Sequence, residues 1–204
     1  MSRSNWKGSA GWQSIDDPTG VLEKVCLHAS SGIGQLCQDY LIQEIGTSNA
    51  FNKTHYKVQC DFALVSDETF LGSFALVARA DNYTTSTDLP LIPQQSYIAL
   101  IDFEINQVKI FRKFDAKDFL LISSAFSFKV PSNSKNTISL SCYGDSSTGG
   151  TSLILELNNK VIGSAYDFSG NQLLSGAAGM QVQNGSVYVN NFAVMELDSA
   201  GNPV

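Results

Sequence analysis

The sequence predicts an all-β protein whose strands form an antiparallel sandwich or barrel. Short runs with a two-residue alternation of apolar and polar side chains recur along most of the chain. Turn residues separate these runs at intervals of about 8 to 12 residues, and no segment carries a convincing helical period. With 204 residues, 43% of them hydrophobic and 16% charged, the chain has the size and composition of one such domain with a sizeable core.

The N-terminal segment is irregular. Residues 1–20 contain three glycines and a proline with little periodicity, which predicts an extended arm or an edge segment. We expect residues 21–197 to form a single domain and residues 198–204 a C-terminal tail. Trp6 and Trp12 are candidate anchors for docking onto a partner, because they are large and amphipathic and lie in a glycine-rich segment. The alternative is that they cover an edge of the domain's own sheet.

The first strands of the domain become clearer along the chain. Segments 21–27 and 36–45 are plausible strands. From Tyr56 onward the two-residue period is regular, and Val58, Cys60, Phe62 and Leu64 share one face. Residues 74–78 are apolar on both faces, which predicts a central strand that is covered on both sides, with Arg79 at its end.

A hairpin is predicted over residues 97–114 with its turn at Asn106-Gln107. This turn matches apolar with apolar and acidic with basic side chains across the two strands. The predicted pairs are Phe103 with Ile110, Glu104 with Lys109, and Ile105 with Val108.

A second hairpin is predicted at Asn158-Asn159, because asparagine tolerates a positive φ angle better than most residues. Its register places Leu155 opposite Ile162. Strands at 126–130, 138–143 and 187–197 bring the predicted total to about ten to thirteen.

Three segments carry a family resemblance: residues 74–80 followed by Asp81-Asn82-Tyr83, the glycine pair of 176–179, and Asn-Asn-Phe-Ala-Val at 190–194. Over roughly residues 50–197 the chain resembles the concanavalin A-like jelly roll superfamily, in particular its laminin-G-like and glucanase-like domains. In that superfamily a strand ending in Arg-Ala precedes a ligand-side loop. The resemblance implies a two-sheet antiparallel jelly roll sandwich, a fold shared by lectins, glycosidases, adhesion modules and viral structural proteins.

The net charge and the cysteines indicate which partners to expect and in which compartment the protein is made. The net charge is −6 and no basic cluster is longer than Arg112-Lys113, so we expect neither a nucleic-acid nor a membrane partner. The first residues lack the apolar run of a signal peptide, which predicts synthesis in the cytoplasm without one. Cys60 and Cys142 are in phase with core positions and are interpreted as free thiols, whereas Cys26 and Cys37 lie in a less regular region.

The resemblance implies a ligand either on the concave sheet or on the loops at one edge. The candidate ligand site here lies in two loops, 81–95 and 144–151, because loops on a rigid sandwich are where recognition usually occurs. A glycan site needs an aromatic platform with amide and carboxylate groups around it. The candidate ligand-binding residues are therefore Asp81, Asn82, Tyr83, Asp88, Tyr143 and Asp145.

No cofactor is predicted, and calcium is the one metal that the resemblance allows. Laminin-G-like and legume lectin-like relatives bind calcium through Asp, Asn and backbone oxygens near a sheet edge. Asp81, Asn82 and Asp88 are the weak candidate ligands here, and a solvated polar loop is the alternative.

No catalytic residues are predicted. Glucanase members of the superfamily carry three aligned acids, in the patterns Glu-x-Asp-x-Glu or Glu-x-Asp-x-x-Glu. The nearest approach here, Asp102-Phe103-Glu104, lacks the third acid, and Glu104 is expected to form a surface ion pair with Lys109. His28 and His55 complete neither a metal site nor a catalytic triad.

These observations predict a non-enzymatic accessory protein of a virion. Concanavalin A-like modules are mostly exported, yet the sequence shows no leader, no linker to a catalytic domain and free thiols. A bacteriophage protein that is assembled in the host cytoplasm and decorates the capsid or tail reconciles these facts. Its expected partners are other virion proteins or surface glycans, with a homo-oligomer as one arrangement. The alternatives are a cellular carbohydrate-binding module and a degenerate β-glucanase.

Overall fold

A computed structural model gives the fold of the chain. It describes residues 54–64, 72–81, 94–115, 117–127, 130, 134–144, 149–170, 172–183 and 186–204, and the backbone of four strands nearer the N-terminus. At positions 81 and 186 only the backbone is described. Every regular element in these residues is a β-strand, which confirms the predicted all-β class.

The described strands, in chain order, are β1 Trp6–Gly8, β2 Trp12–Asp16, β3 Val25–Ser30, β4 Gln38–Gln43, β5 Tyr56–Leu64, β6 Ser73–Asp81, β7 Gln95–Asp102, β8 Gln107–Phe114, β9 Lys117–Ala125, β10 Asn136–Tyr143, β11 Thr151–Leu157, β12 Lys160–Asp167, β13 Ala177–Gln183 and β14 Ser186–Glu196.

The strands form two sheets of seven, paired antiparallel throughout the described residues. Sheet A has the order β1-β4-β13-β6-β7-β8-β9, and sheet B has the order β12-β11-β10-β5-β14-β3-β2. Neighbours within a sheet are often distant in sequence, as where β5 pairs with both β10 and β14. This arrangement confirms the predicted two-sheet jelly roll sandwich.

The core lies between the two sheets. Phe62 of sheet B and Phe74 of sheet A belong to one buried cluster, with their ring centroids 5.2 Å apart. The predicted core face of β5 is confirmed, since Val58, Cys60 and Phe62 are fully buried. Burying this apolar area contributes about 25 cal/mol per Å², so this layer is the main source of stability.

Strand β6 is covered on both faces, as predicted. Leu76 belongs to the core between the sheets, whereas Ala75 and Val77 belong to a second buried cluster on the other face of sheet A. The strand lies in the interior of sheet A between β13 and β7. A strand buried on both sides needs apolar residues at successive positions, which is the pattern of 74–78.

The register predicted for the hairpin at 97–114 is wrong by four residues. The partner of Val108 is Ile101, and the partner of Lys109 is Leu100. Residues 103–106 form a four-residue turn that closes with Asn106 at φ 51°. A shift of four residues leaves the same side chains on the core face of both strands. Side-chain matching alone therefore did not distinguish the two registers.

The hairpin at Asn158-Asn159 is confirmed, with φ angles of 50° and 62° at the two turn residues. Leu157 pairs with Lys160, in the predicted register. A bulge next to Leu155 then shifts the pairing, so Leu155 lies opposite Gly163 instead of Ile162. A bulge adds one residue to one strand and has no clear sequence signature here.

The predicted strand at 126–130 is wrong in its described part. Phe126 and Ser127 lie outside any strand, and the strand of this region is β9, at Lys117–Ala125. Strand β9 is an edge strand whose residues are mostly exposed. Its weak burial explains why the apolar alternation is weak.

Two strands lie within the first twenty residues, one at an edge of each sheet. Strand β1 pairs with β4, and β2 pairs with β3. At the other terminus, Leu197 and Pro203 form an isolated bridge, and Val204 N–H donates to the carbonyl of Glu196. Both terminal segments therefore hydrogen-bond to the sandwich.

Cys60 and Cys142 are buried free thiols, as predicted. Burial raises the pKa of both thiols, that of Cys142 to about 11. Cys26 lies in β3 with only its backbone described, and Cys37 lies outside the described residues. No membrane-spanning helix is found in the part of the chain that the structure describes.

Candidate functional site

The face of sheet A that points away from sheet B carries a groove of about 280 Å³. In β7, Tyr97, Ala99 and Ile101 belong to the core between the sheets, so the alternate residues point into the groove. We call this surface the sheet A groove. Its lining residues are Ser73, Ile98, Leu100, Asp102, Lys109, Phe111, Asp118, Gln181 and Gln183.

The groove combines an apolar floor with polar walls. Ile98 and Leu100 contribute the apolar part, and Phe111 adds a partly exposed aromatic ring. Gln181 and Gln183 of β13 add two amide groups on the other side of β6. An aromatic ring with amides and carboxylates around an apolar floor is the chemistry that binds the faces and hydroxyls of a sugar ring.

Ion pairs hold the charged groups of the groove in place. Lys109 Nζ lies 3.2 Å from Asp102 Oδ2, and both side chains are about one quarter exposed. Lys113 Nζ lies 2.8 Å from Asp118 Oδ1. The carboxylates thus keep free acceptor positions beside ammonium donors, which suits hydrogen bonding to hydroxyl groups.

The two loops predicted to carry recognition leave the sandwich at the same end. Strand β6 ends at Asp81 and β10 ends at Tyr143, while β7 and β11 begin there after the loops. A hydrogen bond of 2.5 Å from Arg79 N–H to Tyr56 Oη links β6 of sheet A to β5 of sheet B at this end. The structure therefore brings the roots of both loops together.

Arg79 is the largest fully buried side chain at this end, with 2% exposure. Its φ angle is 51°, and the pairing of β6 with β7 shifts between Ala78 and Asp81. This bulge turns the side chain of Arg79 into the space between the sheets, where its guanidinium lies 5.8 Å from the centre of the Tyr97 ring. The Arg-Ala pair of the family pattern thus marks a strained, buried position.

The close packing of β13 against β6 accounts for Gly176, the first of the glycine pair at 176–179 in the family resemblance. A Cβ atom at this position would lie 2.5 Å from the carbonyl carbon of Arg79, and the φ angle is 146°. Only glycine fits this close approach of β13 to the bulge in β6.

A buried ion pair joins the sheets beside Arg79. Arg112 Nη1 of sheet A lies 3.3 Å from Asp167 Oδ1 of sheet B, and Asp167 Oδ2 accepts a 2.7 Å hydrogen bond from Tyr97 Oη. Burial, and then the bond to Asp167, raise the pKa of the Tyr97 hydroxyl. Tyr97 Oη in turn accepts a hydrogen bond from Leu173 N–H at 3.1 Å, which fixes the position of the Tyr97 hydroxyl.

Tyr143 is the one candidate ligand residue whose side chain is described. It is half-buried at the end of β10, and its ring lies against Gly201, where a Cβ atom would be 2.8 Å from the ring. One face of this aromatic ring is therefore covered by the C-terminal tail. A sugar could use only its other face or its edge.

The other candidates are described in part or not at all. Asp81 ends β6 with only its backbone described, and Trp6 and Trp12 begin the edge strands β1 and β2 in the same way. Asn82, Tyr83, Asp88 and Asp145 lie outside the described residues, and with them the calcium candidates. Among the residues that are described, no group of three or more acidic, histidine or cysteine side chains could hold a metal ion.

The expected ion pair between Glu104 and Lys109 is wrong. Glu104 lies exposed in the turn after β7, and Lys109 pairs with Asp102 instead. Asp102 and Glu104 are therefore not neighbours on one strand face. The arrangement that a retaining glycosidase needs, with two carboxyl groups about 5 to 5.5 Å apart, does not follow from this pair.

Sequence reasoning missed the sheet A groove. Its lining residues alternate along β7, β8 and β13, so the period of each strand marks one outward face. The outward face of each strand could therefore be predicted from the alternation of its side chains. What joins these faces into one groove is the strand order, which places β13 next to β6 about one hundred residues away in the chain.

Comparisons with known proteins bear on the fold. In sequence, no family profile and no curated protein matches the chain. In structure, the chain is similar to a carbohydrate-binding module, CBM66 from Bacillus subtilis, with a TM-score of 0.64 and 16% identity over 93% of this chain and 94% of that one.

A legume lectin-like domain and a carbohydrate recognition domain are also similar. The legume lectin-like domain from Entamoeba histolytica gives a TM-score of 0.62 and 13% identity over 95% of this chain and 90% of that one. The potassium-bound carbohydrate recognition domain of Emp46p gives 0.60 and 15% over 95% and 91%. A GH43 protein from Bacillus licheniformis gives 0.53 and 9%, and the chain covers 39% of it.

These likenesses span nearly the whole of this chain and of the carbohydrate-binding module, the legume lectin-like domain and the carbohydrate recognition domain. In this chain the shared fold consists of two seven-stranded antiparallel sheets. The chain therefore has the two-sheet jelly roll fold of these domains, as the family resemblance implied.

Proposed function

We propose that the protein is a non-enzymatic glycan-binding module and that it binds its glycan in the sheet A groove. The observation that carries this proposal is the lining of the groove, where Phe111 stands beside Asp102, Gln181 and Gln183 on the outer face of the sheet. Similar solved structures include a carbohydrate-binding module and a carbohydrate recognition domain, which supports the same function class.

The groove suits an extended chain of sugar units better than a single unit. It crosses several strands, from Gln183 of β13 through Asp102 of β7 to Asp118 of β9. Its volume of about 280 Å³ is just below the roughly 300 Å³ of the smallest ordinary ligand sites, and the groove is open along the sheet. A neutral or weakly charged oligosaccharide fits the mixed charges of its walls.

The test is a glycan array followed by calorimetry with the strongest oligosaccharide. Phe111→Ala removes the aromatic wall and should weaken binding roughly tenfold, the effect of about 1.4 kcal/mol. Tyr166→Ala is the matched control, because Tyr166 is an aromatic residue with 52% exposure on β12 of the other sheet. Loss of binding in Tyr166→Ala with full binding in Phe111→Ala would contradict the groove assignment.

A β-glucanase is the rival function at the same surface. The groove holds two carboxylates, those of Asp102 and Asp118, and each has a lysine partner. Purified protein should release no reducing sugar from β-glucans. Release that disappears in Asp102→Asn would establish an enzyme.

We also propose that this module works as an accessory protein of a virion. The support is the resemblance, whose members include viral structural proteins, and the buried free thiols Cys60 and Cys142, which suit assembly in a reducing cytoplasm. The test is mass spectrometry of purified particles from the source. A fixed ratio to the capsid protein is expected, and recovery only in a soluble cell fraction would favour a cellular carbohydrate-binding module.

A further inference from the structure

A second, smaller pocket lies at the loop end of the sandwich, and the sugar-binding proposal does not use it. It has a volume of about 70 Å³, well below the roughly 300 Å³ of ordinary ligand sites. It therefore has room for a small group and not for a sugar ring. Its lining residues are Thr54, His55, Arg79, Gly144, Thr151, Leu174 and Ser199.

The guanidinium of Arg79 has donors left over. Nη1 donates to Thr151 Oγ1 at 2.9 Å and to the carbonyl of Leu173, and Nη2 donates to the carbonyl of Thr54. These bonds use three of the five N–H groups of an arginine side chain. Nε is buried and has no partner in the described part of the chain.

The charge of Arg79 is also uncompensated. All three acceptors are neutral oxygens, and no carboxylate of the described residues forms an ion pair with it. The nearby carboxylate of Asp167 is already bound by Arg112 and Tyr97. A buried cation without an anionic partner is costly, so a site of this kind gains free energy when an anion enters it.

His55 supplies a second unused group in the same pocket. Its Nδ1 atom is buried and has no hydrogen-bond partner among the described residues. The imidazole can carry a hydrogen on Nδ1 and donate it, whether the ring is neutral or charged. The two side chains that carry these unpartnered nitrogen atoms, one of them a permanent cation, thus both line one small pocket.

We propose that this pocket binds a carboxylate group, held by Arg79 Nε and His55 Nδ1. A carboxylate is small, planar and anionic and can accept one hydrogen bond at each oxygen, which matches one N–H donor from each of these two side chains. The mouth of the pocket lies at Leu174 and Ser199, which are exposed, so the group can belong to a free organic acid or to an acidic sugar that reaches in from solvent.

The experiment is isothermal titration calorimetry with sodium acetate at an ionic strength held constant with sodium chloride. The protein should bind acetate at one site. His55→Phe keeps the ring volume and removes the donor, and should weaken binding about tenfold, as expected for one hydrogen bond to a charged group. Ser199→Trp changes an exposed residue at the mouth and should block the site without touching the bonds of Arg79.

The controls separate this site from general attraction of anions. Lys117→Gln removes an exposed cation outside the pocket and should leave acetate binding unchanged. Acetate binding that is absent, or that both pocket variants retain, would overturn the proposal. Titration with glucuronate and with glucose distinguishes the two sources, because an acidic sugar as the natural ligand requires glucuronate to bind more tightly than acetate and glucose not to bind here.

Discussion

Arg79 combines two unfavourable features at one residue. Its backbone is in the left-handed region, which costs a residue other than glycine about 1 to 2 kcal/mol, and its charged group is buried. Both features have a structural basis in the bulge of β6, which directs the side chain to acceptors on Thr54, Thr151 and Leu173. The sequence marks Arg79 as the end of an apolar stretch and as part of the Arg-Ala pair of the family resemblance, but nothing local signals the bulge.

The hydroxyl of Tyr97 joins the two sheets through its hydrogen bond to Asp167. Tyr97→Phe removes the donor to Asp167 and the acceptor of Leu173 N–H while keeping the ring. Because it leaves buried polar groups without partners, the change should lower the free energy of unfolding by about 1 to 3 kcal/mol. Urea denaturation followed by circular dichroism measures it.

Tyr166→Phe is the matched control for Tyr97→Phe. Tyr166 is 52% exposed, so loss of its hydroxyl should change stability by less than about 0.5 kcal/mol. Equal effects of the two substitutions would show that the bond between Tyr97 and Asp167 adds nothing to stability.

At the scale of elements, the sequence predicts strands better than their register. The alternation in β5 identified its buried face, because half-buried strands repeat every two residues. The register predicted for the hairpin of β7 and β8 is wrong because Val108 has an apolar partner in either register, Ile105 in the predicted one and Ile101 in the observed one. Turn length decides between them, and no residue of 103–106 fixes that length from sequence.

The turn between β11 and β12 allows a test of backbone conformation. Asn159 has a φ angle of 62°, and asparagine adopts such angles more easily than alanine does. Asn159→Ala should destabilise the protein by about 1 kcal/mol. Asn159→Gly, in which positive φ carries no steric cost, should be at least as stable as the original in the same thermal unfolding series. An alanine variant as stable as the glycine variant would contradict this account of the turn.

The outer face of sheet B gives a pH dependence. Lys57 Nζ lies 2.6 Å from Glu156 Oε2, and this bond, together with one from Ser139, holds the pKa of Glu156 below its usual range. A lowered folded-state pKa means stability that is present above the unfolded pKa of about 4.3 and lost as pH falls through the folded value. The protein should therefore lose stability as the pH falls below about 4.3, the unfolded-state pKa.

Glu156→Gln should reduce this loss of stability at low pH by up to about 1 kcal/mol, the usual limit for a partly exposed ion pair. Lys57→Met removes the other partner and should have the same effect. Guanidinium unfolding at pH 7 and pH 3 gives the difference for each variant. If both variants keep the full loss of stability at low pH, the dependence arises from other carboxylates, among them Asp61, whose pKa is lowered against its burial by bonds from Thr137, Asn191 and Lys135.

At the scale of the whole molecule, the fold was predictable and the groove was not. The turn spacing predicted a sandwich or a barrel, and the family resemblance, carried in part by the segments around Arg79 and Gly176, selected the two-sheet jelly roll. The sheet A groove depends on Gln183 of β13 lying in the same row as Ser73 and Asp102, which only the strand order decides. Long-range pairing of this kind leaves no local pattern in the sequence.

The N-terminal segment supplies the last test, because the chain has two tryptophans and they lie at opposite sheets. Trp6 begins β1 at an edge of sheet A, and Trp12 begins β2 at an edge of sheet B. If these edge strands belong to the cooperative unit, tryptophan fluorescence and far-ultraviolet circular dichroism should give the same urea midpoint. Trp6→Phe and Trp12→Phe leave one reporter each, so each edge can be followed alone. A fluorescence midpoint well below the circular dichroism midpoint in either variant would show that this strand detaches first, as an arm that docks onto a partner would.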